Sequence, residues 1–106
     1  MDDMENFFPA LDEKELKDGE MKLVSVEGTP ILLIKQRGQI FAIDNRCPHQ
    51  GCGFAGGTID GVVIVCPCHD WRFNLISGAY EEEPDMKLTK FEWKTKDGKI
   101  WIKLED

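Results

Sequence analysis

The chain is poor in basic residues, in histidine and in long hydrophobic runs. Its 106 residues contain 13 Lys and Arg against 20 Asp and Glu, which gives a formal net charge of −7, and only two His. Nucleic acids and anionic membranes select basic faces, so the sequence predicts binding to neither. The longest apolar runs, Ile31–Ile34 and Val62–Cys66, are far too short for a membrane-spanning helix. No phosphate-cradling glycine loop or dinucleotide fingerprint is present, which argues against nucleotide-dependent catalysis.

The length of the chain predicts one domain with a modest core. The first residues include Asp2, Asp3 and Glu5 and lack the basic start and apolar stretch of a secretory signal, so we expect a cytoplasmic protein. The acidic balance favours docking on a basic protein surface, although acidity also serves plain solubility.

Most of the chain alternates with the period of two that is typical of β-strands, and amphipathic helices of useful length are absent. Glycine-containing turns separate the apolar runs, as in hairpins. The predicted fold is all-β, a small antiparallel sandwich or barrel. We expect Trp93 and Trp101 to lie in the core or in cross-strand pairs. The predicted strands are 7–10, 21–26, 30–35, 40–43, 58–59, 62–65, 71–76, 91–95 and 100–104, with turns at 27–29, 36–39, 60–61, 77–78 and 97–98.

A single helical turn is expected after the first strand. Asp12 and Glu15 have the spacing of a capping box, and Leu11 and Leu16 flank them as a hydrophobic staple. Gly19 is suited to end this turn, because glycine readily adopts the left-handed conformation.

The potential metal ligands are concentrated in one stretch. All four Cys and both His lie within residues 47–69, and they include Cys47-Pro48-His49 and Cys66-Pro67-Cys68-His69. Zinc fingers usually keep their two Cys together and their two His together, whereas each motif here is mixed. Mixed pairs suit a site in which two bridged metals each take one ligand from each loop. A structural zinc site remains the alternative.

Glycines are dense between the two motifs, at Gly51, Gly53, Gly56 and Gly57. We expect them to let the backbone approach closely, so that amides can point at bridging sulfurs. The segment also carries its own short hairpin. A metal-binding subdomain of about residues 45–75 is therefore predicted as an insertion within a single domain of residues 1–106.

The two motifs together resemble the cluster-binding boxes of the Rieske iron–sulfur proteins. The resemblance extends through Gly38–Arg46, which lead into the first box, and through Trp71-Arg72-Phe73 and Ser77-Gly78 after the second. It implies one 2Fe-2S cluster, with Cys47 and Cys66 on one iron and His49 and His69 on the other. With two protein ligands on each iron, such a cluster has no open position for a substrate.

The resemblance also implies roles for residues that are not ligands. Cys52 and Cys68 occupy the positions at which high-potential members form a disulfide between the two loops. Those members have a glycine-serine pair after the second histidine and a tyrosine two residues later, and the two hydroxyls donate hydrogen bonds to the cluster sulfurs. Asp70, Trp71 and Phe73 replace them here, so we expect a potential in the lower or middle part of the Rieske range of about −150 to +300 mV.

The function implied by the resemblance is one-electron transfer rather than catalysis. The leading hypothesis is a soluble Rieske-type ferredoxin that carries electrons between a reductase and a terminal enzyme such as an oxygenase. The alternatives are a small subunit of a nitrite reductase and, from another class, a zinc-stabilised interaction module.

Overall fold

The computed structural model describes residues 6–46, 53–68 and 70–104, and the description below refers to these. Nine strands and one 3₁₀ turn make up its regular structure. In this part of the chain no helix is long and apolar enough to cross a membrane. The elements in order are β1 (Phe7–Asp12), a 3₁₀ turn (Glu13–Glu15), β2 (Met21–Val26), β3 (Thr29–Gln36), β4 (Gln39–Asp44), β5 (Thr58–Asp60), β6 (Val63–Cys66), β7 (Trp71–Asn74), β8 (Trp93–Lys96) and β9 (Lys99–Lys103).

The strands form three antiparallel sheets of three, ordered β1-β9-β8, β2-β3-β4 and β5-β6-β7. The all-β, antiparallel prediction is therefore confirmed. A bridge between Ile43 and Lys90 joins the first two sheets, where the Phe91 N–H donates to Ala42 O at 2.8 Å and the Asp44 N–H donates to Thr89 O at 2.9 Å. We call these two sheets the scaffold and the third sheet, with the loop 53–57, the cluster unit.

Two-residue turns close all three hairpins of the scaffold. In the first, Glu27 and Gly28 have φ of 50° and 83°, and they connect the paired residues Val26 and Thr29. Two consecutive positive φ values are typical of the type I′ turn, whose twist matches that of the flanking strands. The other two hairpins have the same pattern, at Arg37-Gly38 and Asp97-Gly98.

The central strand β3 is buried on both faces, which explains why its sequence is a continuous apolar run. Ile31 and Leu33 face one core, inside the scaffold, whereas Leu32 and Ile34 face a second core, shared with the cluster unit. Two apolar clusters therefore meet at one strand, and β3 couples the scaffold to the cluster unit.

Two strand boundaries differ from the prediction. The strand predicted over 71–76 ends at Asn74, because its side-chain Oδ1 accepts hydrogen bonds from the N–H groups of Ile76 (2.8 Å) and Ser77 (3.1 Å) and turns the chain. The turn between β5 and β6 consists of Gly61 and Val62 rather than residues 60–61, since Asp60 pairs with Val63.

The predicted capping-box hydrogen bond does not form at Asp12, although a 3₁₀ turn forms where a helical turn was expected. The Asp12 side chain makes no cap bond; instead the Glu13 N–H donates to Gly98 O at 2.8 Å and the Lys17 N–H to Glu20 Oε1 at 2.8 Å. Contacts from distant residues replace the local cap. Leu11 and Leu16 nevertheless both join the scaffold core, as a staple requires.

Trp93 and Trp101 lie in cross-strand pairs rather than in the core, which is one of the two predicted environments. Trp93 is 37% exposed on the edge strand β8 and stands opposite Ile102, whereas Trp101 stands opposite Lys94. The Trp101 indole N–H donates to Lys96 O at 3.2 Å. The two tryptophans therefore do not pair with each other across the strands.

Candidate metal centre

Cys66 is the predicted ligand whose surroundings are described. It is the last residue of β6, it is fully buried and its thiol is free. Trp71 stands opposite it on β7, and Phe54 and Phe73 belong to the same apolar cluster. A soft sulfur ligand is thus held at a strand end in a dry environment.

The other predicted ligands, Cys47, His49 and His69, lie outside the described residues, as does Cys52. Cys68 is described, and it is exposed and disulfide-bonded. Within the described residues no group of three or more His, Cys, Asp or Glu could hold a metal ion.

The residues just before the first box form a local clamp. Arg46 Nη2 lies 2.7 Å from Asp44 Oδ2, and the Arg46 Nε and backbone N–H both donate to Asp44 Oδ1 at 2.9 Å. These hydrogen bonds to Arg46 hold the pKa of the Asp44 carboxyl below its usual value, against the opposing effect of burial. Arg46 also forms a bridge with Gly53. The clamp therefore fixes the chain where it leaves β4.

Asn45 connects the scaffold to the cluster unit through three hydrogen bonds. Its N–H donates to Pro30 O at 2.9 Å, and its carbonyl accepts from the Phe54 N–H at 2.8 Å. Its side-chain Oδ1 accepts from the Ala55 N–H at 2.9 Å. A methyl group at Gly53 would lie 2.9 Å from Asn45 Nδ2, so the Asn45 side chain would have to shift to admit it. The sequence analysis did not identify Asn45; its only signal was its position two residues before Cys47.

Gly57 brings the loop 53–57 against the end of β6. A methyl group there would overlap Val65 O and would lie 3.1 Å from Phe54 O and 3.2 Å from Pro67 Cδ. Other groups therefore approach closely at Gly53 and Gly57, and it stays a prediction that amides here point at bridging sulfurs. Gly56 is suited to its backbone conformation instead, because its φ is 95° and a methyl group there would meet nothing within 4 Å. Gly51 lies outside the described residues.

The three predicted tuning residues have different environments. Asp70 is exposed and has a left-handed φ of 56°, as expected of a turn residue. Trp71 is half-buried and stacks on Tyr80, with ring centroids 4.2 Å apart and planes 4° apart. Phe73 is fully buried and meets Phe54 edge to face at 5.5 Å. Phe73 is therefore a core residue, whereas Trp71 lies at the edge of the core.

Tyr80 is a residue of this region that the sequence analysis missed. Besides stacking on Trp71, it packs against Phe73, and its hydroxyl donates to Glu82 Oε2 at 2.9 Å. The loop 81–85 is exposed throughout. Its Glu81 nonetheless pairs with Arg72 at 3.3 Å, so this loop helps to hold β7. The sequence offered one signal for Tyr80, since it is the single Tyr of the chain and stands two positions before Glu82.

Cys66 fits an iron–sulfur cluster in its chemistry. A thiolate in apolar surroundings is costly unless a cation compensates its charge, and iron does so. Pro67 follows it and cannot donate a backbone hydrogen bond. The residue is thus suited to ligate iron.

Comparisons with known proteins agree with this fit. Residues 6–92 match the family described as Rieske [2Fe-2S] domain. The ferredoxin component of the alkene monooxygenase system of Xanthobacter autotrophicus is 34% identical over 93 residues, which cover 86% of this chain and 75% of that protein. Human apoptosis-inducing factor 3 is 31% identical over 91 residues, but this chain spans only 15% of its length.

The solved structure of a ferredoxin from Sphingomonas yanoikuyae B1 has the same fold. It is 26% identical, with a TM-score of 0.83, and the match covers 94% of this chain and 100% of that one. With both cluster-binding motifs inside the matched residues, the chain belongs to the Rieske [2Fe-2S] domain family, whose domain carries one 2Fe-2S cluster.

Proposed function

We propose that this chain is a one-electron carrier that takes electrons from a reductase and passes them to a terminal enzyme such as an oxygenase. The observation that carries the proposal is the family match over residues 6–92, which spans both motifs. The likeness to a ferredoxin component of a monooxygenase system supports an oxygenase as the acceptor. The chain itself performs no catalysis in this proposal.

The proposed cluster ligands are Cys47 and Cys66 on one iron and His49 and His69 on the other. The cluster supplies a site that accepts and releases one electron, and replacing two thiolates by neutral imidazoles makes reduction easier than in all-cysteine clusters. Phe54 and Phe73 are fully buried and belong to the same apolar cluster as Cys66, so they keep water away from this proposed ligand.

Metal content and spectroscopy test the cluster. Purified protein should contain two iron and two sulfide per chain, absorb in the visible range and bleach when dithionite is added. Cys66→Ser should abolish the colour, and Ser25→Ala, at an exposed position on β2, should leave it unchanged. A colourless protein with stoichiometric zinc would reject the carrier in favour of the zinc-stabilised module.

Salt dependence tests the proposed partner surface. If the acidic chain docks on a basic reductase or oxygenase, the second-order rate of electron transfer should fall as ionic strength rises, because surface charges are screened beyond about 10 Å at 0.1 M salt. A stopped-flow rate that is flat between low and moderate salt would argue against a basic docking surface.

We also propose that Cys52 and Cys68 form a disulfide that ties the two loops together. The disulfide-bonded state of Cys68 and the free thiol of Cys66 support this pairing. Mass spectrometry of a non-reduced digest should find the peptides of Cys52 and Cys68 linked. Recovery of both as free thiols from protein purified without reductant would contradict it.

Asp70, Trp71 and Phe73 are proposed to hold the potential in the lower or middle part of the Rieske range of about −150 to +300 mV. The burial of Phe73 supports this, since its ring offers no hydroxyl to a cluster sulfur. Protein-film voltammetry measures the potential directly, and a value near the upper end would overturn the assignment.

The remaining proposals concern organisation and location. Residues 1–106 are proposed to form a single Rieske domain in which residues 45–75 form the cluster subdomain, and the separate sheet β5-β6-β7 supports that division. A cytoplasmic location is proposed, and fractionation of cells that express the tagged protein would test it.

A further inference from the structure

The two sheets of the scaffold are joined along only part of the border between β4 and the segment that leads into β8. Residues 89–91 hydrogen-bond to β4 through Ala42 and Asp44, but the chain then diverges from β4 as it enters β8. An open groove of about 910 Å³ lies between Gln39–Ala42 on one side and Trp93–Thr95 on the other. We call it the seam groove.

Both strands present outward backbone groups to the seam groove. On β8, Lys96 and Lys99 flank a two-residue turn and so form a hydrogen-bonded pair; by alternation, the N–H and C=O groups of Trp93 and Thr95 point away from β9. The same alternation, counted from the turn at Arg37-Gly38, directs the N–H and C=O groups of Ile40 away from β3. Within the described residues no backbone hydrogen bond satisfies these outward groups.

Part of the lining of the seam groove is apolar and exposed. Ile76 is 59% exposed and Trp93 is 37% exposed, and these are two of the three large hydrophobic side chains that stand out at the described surface. Aromatic rings of Phe7 and Phe91 also line it. A strand edge whose backbone groups find no partner among the described residues, beside exposed apolar side chains, is what a sheet offers to an added strand.

The lining of the seam groove carries more positive than negative side chains, whereas the chain as a whole is negatively charged. Lys35, Lys90 and Lys94 line the seam groove with only Glu13 and Glu92, although the chain has a net charge of −7. Glu92 is paired with Lys103 at 3.8 Å, and the Lys90 ammonium donates to the carbonyl of Ile76, a neutral partner that leaves its positive charge uncompensated. An acidic partner is therefore attracted here and repelled over much of the remaining surface.

The seam groove also lies away from the cluster end of β4. Ile40 precedes Asp44 by four residues, which corresponds to about 13 Å along a strand. We infer that the seam groove binds an extended, acidic segment of a partner protein, which adds as a strand to the free edge of β8. Such a segment holds the partner while the cluster end stays accessible, and the binding does not depend on the proposed electron-transfer function.

Titration of the ¹⁵N-labelled holoprotein with a synthetic peptide tests this inference. The probe is an acetylated, amidated peptide of four alternating Glu-Val pairs. Its addition should shift the amide signals of Ile40, Trp93 and Thr95. A matched peptide with proline at the third Val loses a backbone donor and should bind about fivefold more weakly or worse, corresponding to one lost hydrogen bond.

Variants of the protein separate charge from backbone pairing. Lys90→Glu should weaken peptide binding about fivefold at low salt, whereas the matched control Lys22→Glu, on β2 outside the seam groove, should change it by less than about twofold. Thr95→Pro removes one outward N–H without removing a bond to β9 and should weaken binding similarly. An unchanged visible spectrum verifies that each variant is folded.

Three results would overturn the inference: no binding at millimolar peptide, equal binding of the proline peptide, or shifts confined to residues outside the seam groove. An apolar dye can be added as a competitor: if it binds in the seam groove and the peptide cannot displace it, the groove is a small-molecule site. That result would also reject the binding of an added strand.

Discussion

The scaffold turns and the loop of the cluster unit differ in why they need glycine. In the scaffold, Gly28, Gly38 and Gly98 have φ between 77° and 83°, and a methyl group added at any of them would meet nothing within 4 Å, so they are needed only for their conformation. In the cluster unit Gly56 is also conformational, but Gly57 is needed because the backbone oxygen of Val65 occupies the space of a side chain. Local turn chemistry thus shapes the scaffold hairpins, whereas the loop 53–57 also depends on close packing against the end of β6.

The two parts also differ in how their loops are held. The scaffold hairpins close through two-residue turns, and the pairing of β1 with β9 joins the two ends of the scaffold. The loop 53–57 is held instead by a few single contacts, from Asn45 to Phe54 and Ala55 and from Gly57 to Val65 and Pro67. Because so few contacts hold this loop, we expect the metal centre to be lost before the scaffold when contacts are removed.

The largest effect is expected from Gly57→Ala. The added methyl group overlaps Val65 O, so the loop 53–57 must move away from the end of β6 that carries Cys66. We expect destabilisation of about 3 kcal/mol and loss of most of the cluster. The measurements are the ratio of visible to ultraviolet absorbance and the denaturant midpoint of unfolding.

Gly28→Ala is the matched control for Gly57→Ala in the scaffold. Its methyl group meets open space, but its φ of 83° remains unfavourable for alanine, which costs about 1 kcal/mol. The cluster content should stay at the wild-type level. If both variants lose cluster equally, the proposed difference between the two parts of the molecule is wrong.

Much of the scaffold could be predicted from the sequence because its information is local. Period-two runs predicted β2 with its observed bounds, Met21–Val26, and glycine-containing turns predicted all three scaffold hairpins. The errors arose where a distant or side-chain contact replaced a local preference. Examples are the Asn74 turn, which ends β7 early, and the Gly98 carbonyl, which takes the place of the Asp12 cap.

The candidate ligands follow from residue types alone, whereas the residues that support Cys66 do not. Cys66 is a candidate because thiolates and imidazoles packed so closely indicate a metal centre. Asn45 and Tyr80 were missed, since an amide and a phenol acquire their roles only when the fold brings Ala55 or Trp71 beside them. No periodicity encodes those contacts.

A smaller effect, at the junction of the two parts, is expected from Asp44→Asn. Hydrogen bonds from Arg46 lower the folded-state pKa of Asp44, so this carboxylate stabilises the fold above its unfolded pKa of about 4 and loses that contribution as the pH falls through the folded value. The variant should be less stable at pH 7 by about 1 kcal/mol or less, because Arg46 is largely exposed to solvent.

The pH dependence of the stability difference distinguishes the loss of the Asp44 charge from a change in packing. Thermal unfolding of the wild type and of Asp44→Asn should differ at pH 7 and converge below about pH 4. A difference that persists unchanged at pH 3 would show that the variant acts through packing and not through the charge of Asp44.

The smallest effect is expected from Glu27→Asn in the first scaffold hairpin. Glu27 has a φ of 50°, a conformation that strains most side chains, and Gly28 follows it. Asn-Gly is the preferred pair for this turn, so the variant should stabilise the protein by about 0.5 kcal/mol without changing the cluster. The denaturant midpoint measures the gain, and Glu27→Gln, which keeps the strained conformation, is the control. A gain in both variants would attribute the effect to the removed negative charge, whereas a gain in Glu27→Asn alone would show that conformation at single turn residues sets the stability of the scaffold.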